Sequence, residues 1–239
     1  EPMKVAVPIC DLVAGMYATV GILAAVRHQS ETGEGQFIDI GMLDTHIGWL
    51  ANQGMNYLAT GENPDRIGNM HPNILPYQVM PTADGYIVLS VGNDPTFERF
   101  CKLAECEELL EDERFQTNAA RVSNRDFVTK TLNEITSNKS SEWWLTELEK
   151  EKIGCGPINN LDQVFADPHV KARDMVVEMD HPAMGNKPIK LIANPIKLSK
   201  TPPTYRKAPP LLGQHTDEIL GEAGLSIDEI AKLKENGTV

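Results

Sequence analysis

The sequence predicts an α/β protein in three pieces, and three observations predict it. Apolar and small residues recur at helical spacing over residues 12–28, and a glycine-led strand and a second helical stretch follow them. The turn signal Thr82-Ala83-Asp84-Gly85 then opens onto an alternating run of strand character. Finally, the proline-rich stretch "TPPTYRKAPPLLG" over residues 201–213 sets a short helical tail apart from everything before it. Strand followed by helix is the grammar of α/β domains.

Each element has its own signal. Leu12, Tyr17, Val20, Leu23 and Ala24 fall at helical spacing, with Ala14, Gly15, Ala18, Gly21 and Ala25 between them, which predicts a closely packed core helix. "ETGEGQFIDI" predicts a glycine turn into a strand carrying Phe37 and Ile38. "MLDTHIGWLANQGMNYLATG" returns to helix and stops at Gly61, the residue type that ends helices most readily. Residues 62–78 are rich in proline and in asparagine beside Gly or Pro, and predict a loop long enough to be functional. Tyr86 to Val91 reads as a strand, and helices are expected near 95–105, 124–136 and 141–151. The last of these opens on Ser140-Ser141, suited to capping, and carries Trp143 and Trp144 on a core-facing side. After the break at "GCGPINN", Leu161 to Ala166 predicts a short helix, and "MVVEMDHPAMGNKPIKLI" two strands around a Pro/Gly/Asn loop. The tail predicts a helix near 216–222 and a second one introduced by Ser226 with Glu229 at capping-box spacing. These elements group as residues 1–75, 76–190 and 191–239.

Composition narrows the function classes. A formal net charge of −12 over 239 residues argues against a nucleic-acid partner and against docking on an anionic membrane. The apolar run from Leu12 to Val26 is shorter than the roughly 18–20 residues that a membrane span needs. The four cysteines lack metal or redox spacing and point to a reducing compartment. The six histidines show no ligand spacing, so no metal site is expected. The chain passes from Glu1 almost at once into the first core segment, which reads as a fragment preceded by an N-terminal part.

Asp11 stands at the head of the apolar helix, and two roles suit a carboxylate there. It can accept backbone N–H groups as an ordinary cap. It can also attack an acyl carbon as a nucleophile, kept ionised by the helix dipole. Asp44 and His46 lie two residues apart at the start of a helix and point in different directions. Asp39 falls in the expected strand, where a solvent-facing role suffices. The loop around Gly68 can present backbone N–H groups to a developing oxyanion.

Four stretches carry a resemblance that goes further: "CDLVAGMYATVGILAAVRHQSETGEGQFIDIGMLDT", "NILPYQVMPTADGYIVLSVGNDPTFERFC", "GCGPINNLDQVFADPHVKARDMVVEMDHP" and "APPLLGQHTDEILGEAGLSIDEIAKL". In that order they resemble the family III CoA-transferases, the carnitine/bile-acid group, over nearly the whole chain. "GPINN", "VFADP" and "PPLLGQHT" resemble most closely the succinyl-CoA-using dicarboxylate transferases of the glutarate type.

The resemblance implies a Rossmann-like large domain, only partly present here and bearing the nucleophile in residues 1–75. It also implies a smaller mixed α/β domain over 76–190, and a proline-rich linker with C-terminal helices over 191–239 that return to the large domain. Two subunits would interlock as a homodimer. Asp11 falls on the family's nucleophile, and residues 66–71 on the loop that closes over it, so Gly68, Asn69 and His71 are the implied coenzyme A contacts. The implied reaction moves CoA between an acyl-CoA and a free carboxylic acid through an aspartyl anhydride and thioester. Acyl-CoA is then a substrate, and no permanently bound cofactor is implied. The family's N-terminal half is not in this chain, and an N-terminal fragment of the same protein, cleaved or separate, is an implied partner. The implied location is the cytoplasm, or the mitochondrial matrix in a eukaryote. Two alternatives stand beside this reading: an α-methylacyl-CoA racemase of the same superfamily, and a non-enzymatic dimerisation fragment.

Overall fold

The structure of the chain is a computed structural model that describes residues 3–185 and 187–239. Glu1, where the sequence enters its first segment, and Asn186, in the Pro/Gly/Asn loop, lie outside the described residues. The chain divides into two compact units, Glu1–Pro157 and Ile158–Val239.

The first unit opens on α1, Ile9–Thr32, which Gly33 ends in a left-handed conformation (φ 79°) while its N–H bonds to Gln29 O. α1 packs on α2, Met42–Gly48, and a turn at Trp49-Leu50 leads into α3, Ala51–Thr60, closed by Gly61 (φ 74°). The expectation of a buried core helix fails here: along α1 only Val13 is buried, and Leu12, Met16, Val20, Leu23 and Val26 are exposed. Within this chain α1 has too few neighbours to cover an apolar surface that runs around most of its circumference. The helix is also longer than the apolar run within it. At 24 residues and mean hydropathy 1.9 over its best window, it is long and apolar enough by composition to cross a membrane.

The strand expected at residues 36–40 does not form. Residues 34–41 have no regular structure, and Phe37 is 92% exposed. A strand needs a neighbour to take its N–H and C=O groups, and this segment has none among the described residues.

Beyond the loop lies a well-packed α/β unit. β1, Tyr77–Pro81, pairs antiparallel with β2, Tyr86–Ser90, through a tight turn closed by Thr82 N–H to Gly85 O (2.9 Å). β1 falls where the sequence predicts the end of the loop and the approach to a turn. It forms because Gln78 and Met80 alternate inward on the same face as Ile87 and Leu89. Four helices follow: α4, Asp94–Leu103; α5, Asn118–Ser123; α6, Arg125–Thr136; and α7, Ser141–Lys150. Asn93 caps α4 through Thr96 N–H (2.9 Å), and Ser140 caps α7 through Trp143 N–H (3.2 Å). β3, Gly154–Pro157, completes the sheet on the other side of β2; its glycines hid it from a pattern search. Phe97, Phe100, Phe115, Leu132, Trp144 and Leu148 fill the core above this sheet. Trp144 donates its indole N–H to Thr136 O at 2.7 Å, so burying it leaves no orphan polar group.

In the second unit, α8, Leu161–Ala166, has a two-way capping box between Asn160 and Gln163, and α9, Pro168–Ala172, follows it. β4, Val176–Met179, pairs antiparallel with β5, Ile189–Ile192, as their flanking turn residues predict. Residues 193–215 carry no helix or strand. α10, Thr216–Glu222, and α11, Ile227–Glu235, end the chain, and Ser226 and Glu229 form the capping box that their spacing predicts.

Candidate active site

Asp11 occupies the first turn of α1. The N-cap position is Pro8, which has no side chain able to cap, and among the described residues the Asp11 carboxylate makes no hydrogen bond. The capping role therefore does not hold. Leu12 N–H reaches Pro8 O at 3.1 Å, whereas the N–H groups of Cys10 and Asp11 precede the helical ladder and have no acceptor among the described residues. An exposed carboxylate thus stands beside free amides at the positive end of a 24-residue helix, where negative charge is favoured.

A contact missed in the sequence adjoins it. Cys10 Sγ lies 2.8 Å from His46 Nδ1 across the α1–α2 contact. The expectation that Asp44 and His46 diverge is consistent with this, since His46 turns to Cys10 while the Asp44 carboxylate lies beside Gly41. No sequence spacing signals a pair formed by residues 36 apart.

Residues 66–71 form an anchored turn. Ile67 O accepts Met70 N–H at 3.4 Å across Gly68-Asn69, and Gly68 holds φ 66°, a conformation in which a side chain would be strained. The amides of Gly68 and Asn69 have no acceptor among the described residues. The Asn69 side chain is committed to β1, its Oδ1 accepting Val79 N–H at 2.8 Å. His71 is held from several sides. Its N–H donates to Tyr77 O (2.9 Å), its Nδ1 accepts Asn73 N–H (3.1 Å), and its ring stacks on Tyr77 with centroids 5.3 Å apart. The Arg125 guanidinium, also unforeseen, clamps the backbone behind it through His71 O (3.1 Å) and Pro72 O (2.7 Å). Because Nδ1 accepts, the neutral ring carries its proton on Nε2. No hydrogen bond or ion pair among the described residues joins Asp11 to this loop; just beyond it, Asn73 Oδ1 accepts the Asn56 side-chain N–H of α3 at 3.2 Å.

The family model for CoA-transferase family III matches residues 1–216. The chain belongs to that family. A succinate–glutarate CoA-transferase of Agrobacterium fabrum is 41% identical over 222 residues, 93% of this chain and 55% of that protein. A human succinyl-CoA:glutarate CoA-transferase is 37% identical over 241 residues, 100% of this chain and 54% of that protein. The crystal structure of a CaiB/BaiF family protein from Brucella suis matches with a TM-score of 0.73 and 40% identity, over 93% of this chain and 57% of that one. This family III chain therefore spans about half the length of the curated relatives it matches.

Proposed function

We propose that this chain is the nucleophile-bearing part of a CoA-transferase that moves CoA between succinyl-CoA, or another dicarboxylic acyl-CoA, and a free carboxylic acid. The observation that carries the reading to a residue is the Asp11 carboxylate, exposed in the first turn of an uncapped helix and bonded to no backbone amide among the described residues. The names borne by relatives that align over most of the chain support the same reaction class.

In this reading Asp11 attacks the donor thioester carbonyl, and the C–S bond breaks to give a mixed anhydride and CoA thiolate. The thiolate attacks the aspartyl carbonyl, forming an aspartyl-CoA thioester and freeing the donor acid. The acceptor carboxylate repeats the exchange in reverse, and Asp11 is regenerated. The free amides of Cys10 and Asp11 at the helix end, and those of Gly68 and Asn69 in the turn, suit oxyanions that form along this path. Gly68, Asn69 and His71 are proposed to contact the CoA substrate, with the His71 Nε2–H left as a donor.

Residues 1–75 are read as part of a Rossmann-like large domain, residues 76–190 as the small domain, and residues 191–239 as the linker and helices that return to the large one. The apolar sides of α1 to α3 suit burial against the rest of that domain and a second subunit of an interlocked homodimer. Free cysteines throughout fit a reducing compartment, the cytoplasm or the mitochondrial matrix.

The test is chemical trapping. Incubation with succinyl-CoA followed by hydroxylamine is expected to mark Asp11, located by mass spectrometry, and Asp11→Asn is expected to abolish both the mark and turnover, by at least roughly a thousandfold. An unmarked Asp11 together with solvent deuterium at the acyl α-carbon would replace the reading with racemisation. Neither signal would leave a non-enzymatic subunit.

A further inference from the structure

We propose that Cys10 and His46 form a thiol-exchange site that takes small-molecule disulfides. The four thiols of this chain stand in different surroundings. Cys101 and Cys106 are buried in the core, and the neighbouring Cys106 thiol together with burial holds Cys101 protonated far above the ordinary thiol range. Cys155 is half-buried, and burial, with the charge of Glu149 second, pushes its thiol up as well. Cys10, half-buried like Cys155, alone among the four has an imidazole nitrogen against its sulfur, at 2.8 Å.

That geometry is a nucleophile within hydrogen-bond reach of a base. His46 Nδ1 takes the Cys10 proton as Sγ attacks one sulfur of the disulfide. A new S–S bond forms to Cys10, the old one breaks, and the departing thiolate takes the proton back from the imidazolium. One disulfide and one thiol go in, and one mixed disulfide and one thiol come out. The packing of α1 on α2 holds the pair in place, with Cys10 in the first turn of α1 and His46 in the last turn of α2.

The adduct would sit one residue from Asp11. On the reading of Asp11 as the acyl acceptor, exchange at Cys10 obstructs the carboxylate, and a reducing thiol restores it.

The full chain is incubated with glutathione disulfide, and the adduct is followed by intact mass and peptide mapping. A mixed disulfide is expected on Cys10 at least roughly tenfold faster than on Cys155. His46→Gln is expected to slow Cys10 by roughly tenfold or more, with free imidazole restoring part of the rate. A merely structural role for His46 would give no imidazole rescue. Equal rates at Cys10 and Cys155 in the unaltered chain, a comparison that needs no variant to fold, would overturn the proposal. So would a parental rate in His46→Gln. These readouts need no turnover, so an Asp11 that accepts no acyl group would count against the transferase reading alone.

Discussion

Residues 3–60 and residues 75–157 spend their apolar side chains in opposite ways. In the second region sheet and helices close over Met80, Ile87, Leu89, Phe97, Phe100 and Trp144, all buried. In the first, Leu12, Val20, Leu23, Leu43, Ile47, Leu50 and Leu58 are exposed along three helices and the turn between two of them, and Val13 is the only fully buried apolar side chain. The difference teaches where each region finds its stability. Residues 75–157 carry their own core, whereas the helices of residues 9–60 leave apolar surface that this chain does not cover.

The largest effect expected from this contrast is at Arg121, a charge with no exposed surface inside the self-sufficient region. Its guanidinium donates to Leu75 O and Phe115 O at 2.7 Å, pairs with Asp94 at 2.9 Å, and lies 4.3 Å from the centre of the Phe97 ring. Burial pulls its pKa below the usual value, and Asp94 opposes that fall. Arg121→Met strands two buried carbonyls, so a loss of about 3–5 kcal/mol is expected in denaturant unfolding. Asp94 stays half-solvated, which keeps the cost within that range. In the first region, Val13→Ala is expected to cost about 1.5–3 kcal/mol, read from the far-UV signal of the helices. A loss at Arg121 no larger than that at Val13 would break the comparison.

How far the sequence disclosed these two regions follows from which signals are local. The capping box of Ser226 and Glu229, the Ser140 cap and the strand at Tyr86 are set within a few residues, and each forms as its spacing predicts. The strand expected at residues 36–40 depended on a neighbour that a local pattern cannot supply. β3 was hidden by two glycines and a proline, and α5 by its brevity. At the candidate site, Asp11 stood out because a charge heads an apolar run, and Gly68 because it marks a turn. Cys10–His46 and Arg125–His71 join residues 36 and 54 apart, so only the folded chain brings them together.

A smaller effect sits at the margin of the packed region. The Asp84 carboxylate accepts Ser141 N–H at 2.7 Å and the Thr82 hydroxyl at 3.1 Å, tying the β1–β2 turn to the start of α7. These bonds, that from Ser141 foremost, hold its pKa below the ordinary 3.8. A carboxylate depressed in the folded state stabilises it above the unfolded value, and that contribution fades as pH falls through the folded one. Asp84→Asn is therefore expected to lower the melting temperature at neutral pH, with the gap to the parent closing below about pH 4. A gap that stays constant down to pH 2 would assign the clamp to shape rather than charge.

The smallest effect is expected at Val20, and it sharpens the comparison most. Val20 is 65% exposed, whereas Val13, two helical turns earlier, is 2% exposed. With little apolar area to lose, Val20→Ala is expected to shift unfolding by less than about 0.5 kcal/mol at concentrations where light scattering reports a monomer. Alanine also favours helix over valine, which offsets part of any loss. If the same substitution costs as much as Val13→Ala in the monomer, this face of α1 is already covered by the chain's own residues. If the cost appears only as concentration rises and the chain associates, Val20 lies where a second copy packs, as the proposed interlocked homodimer requires.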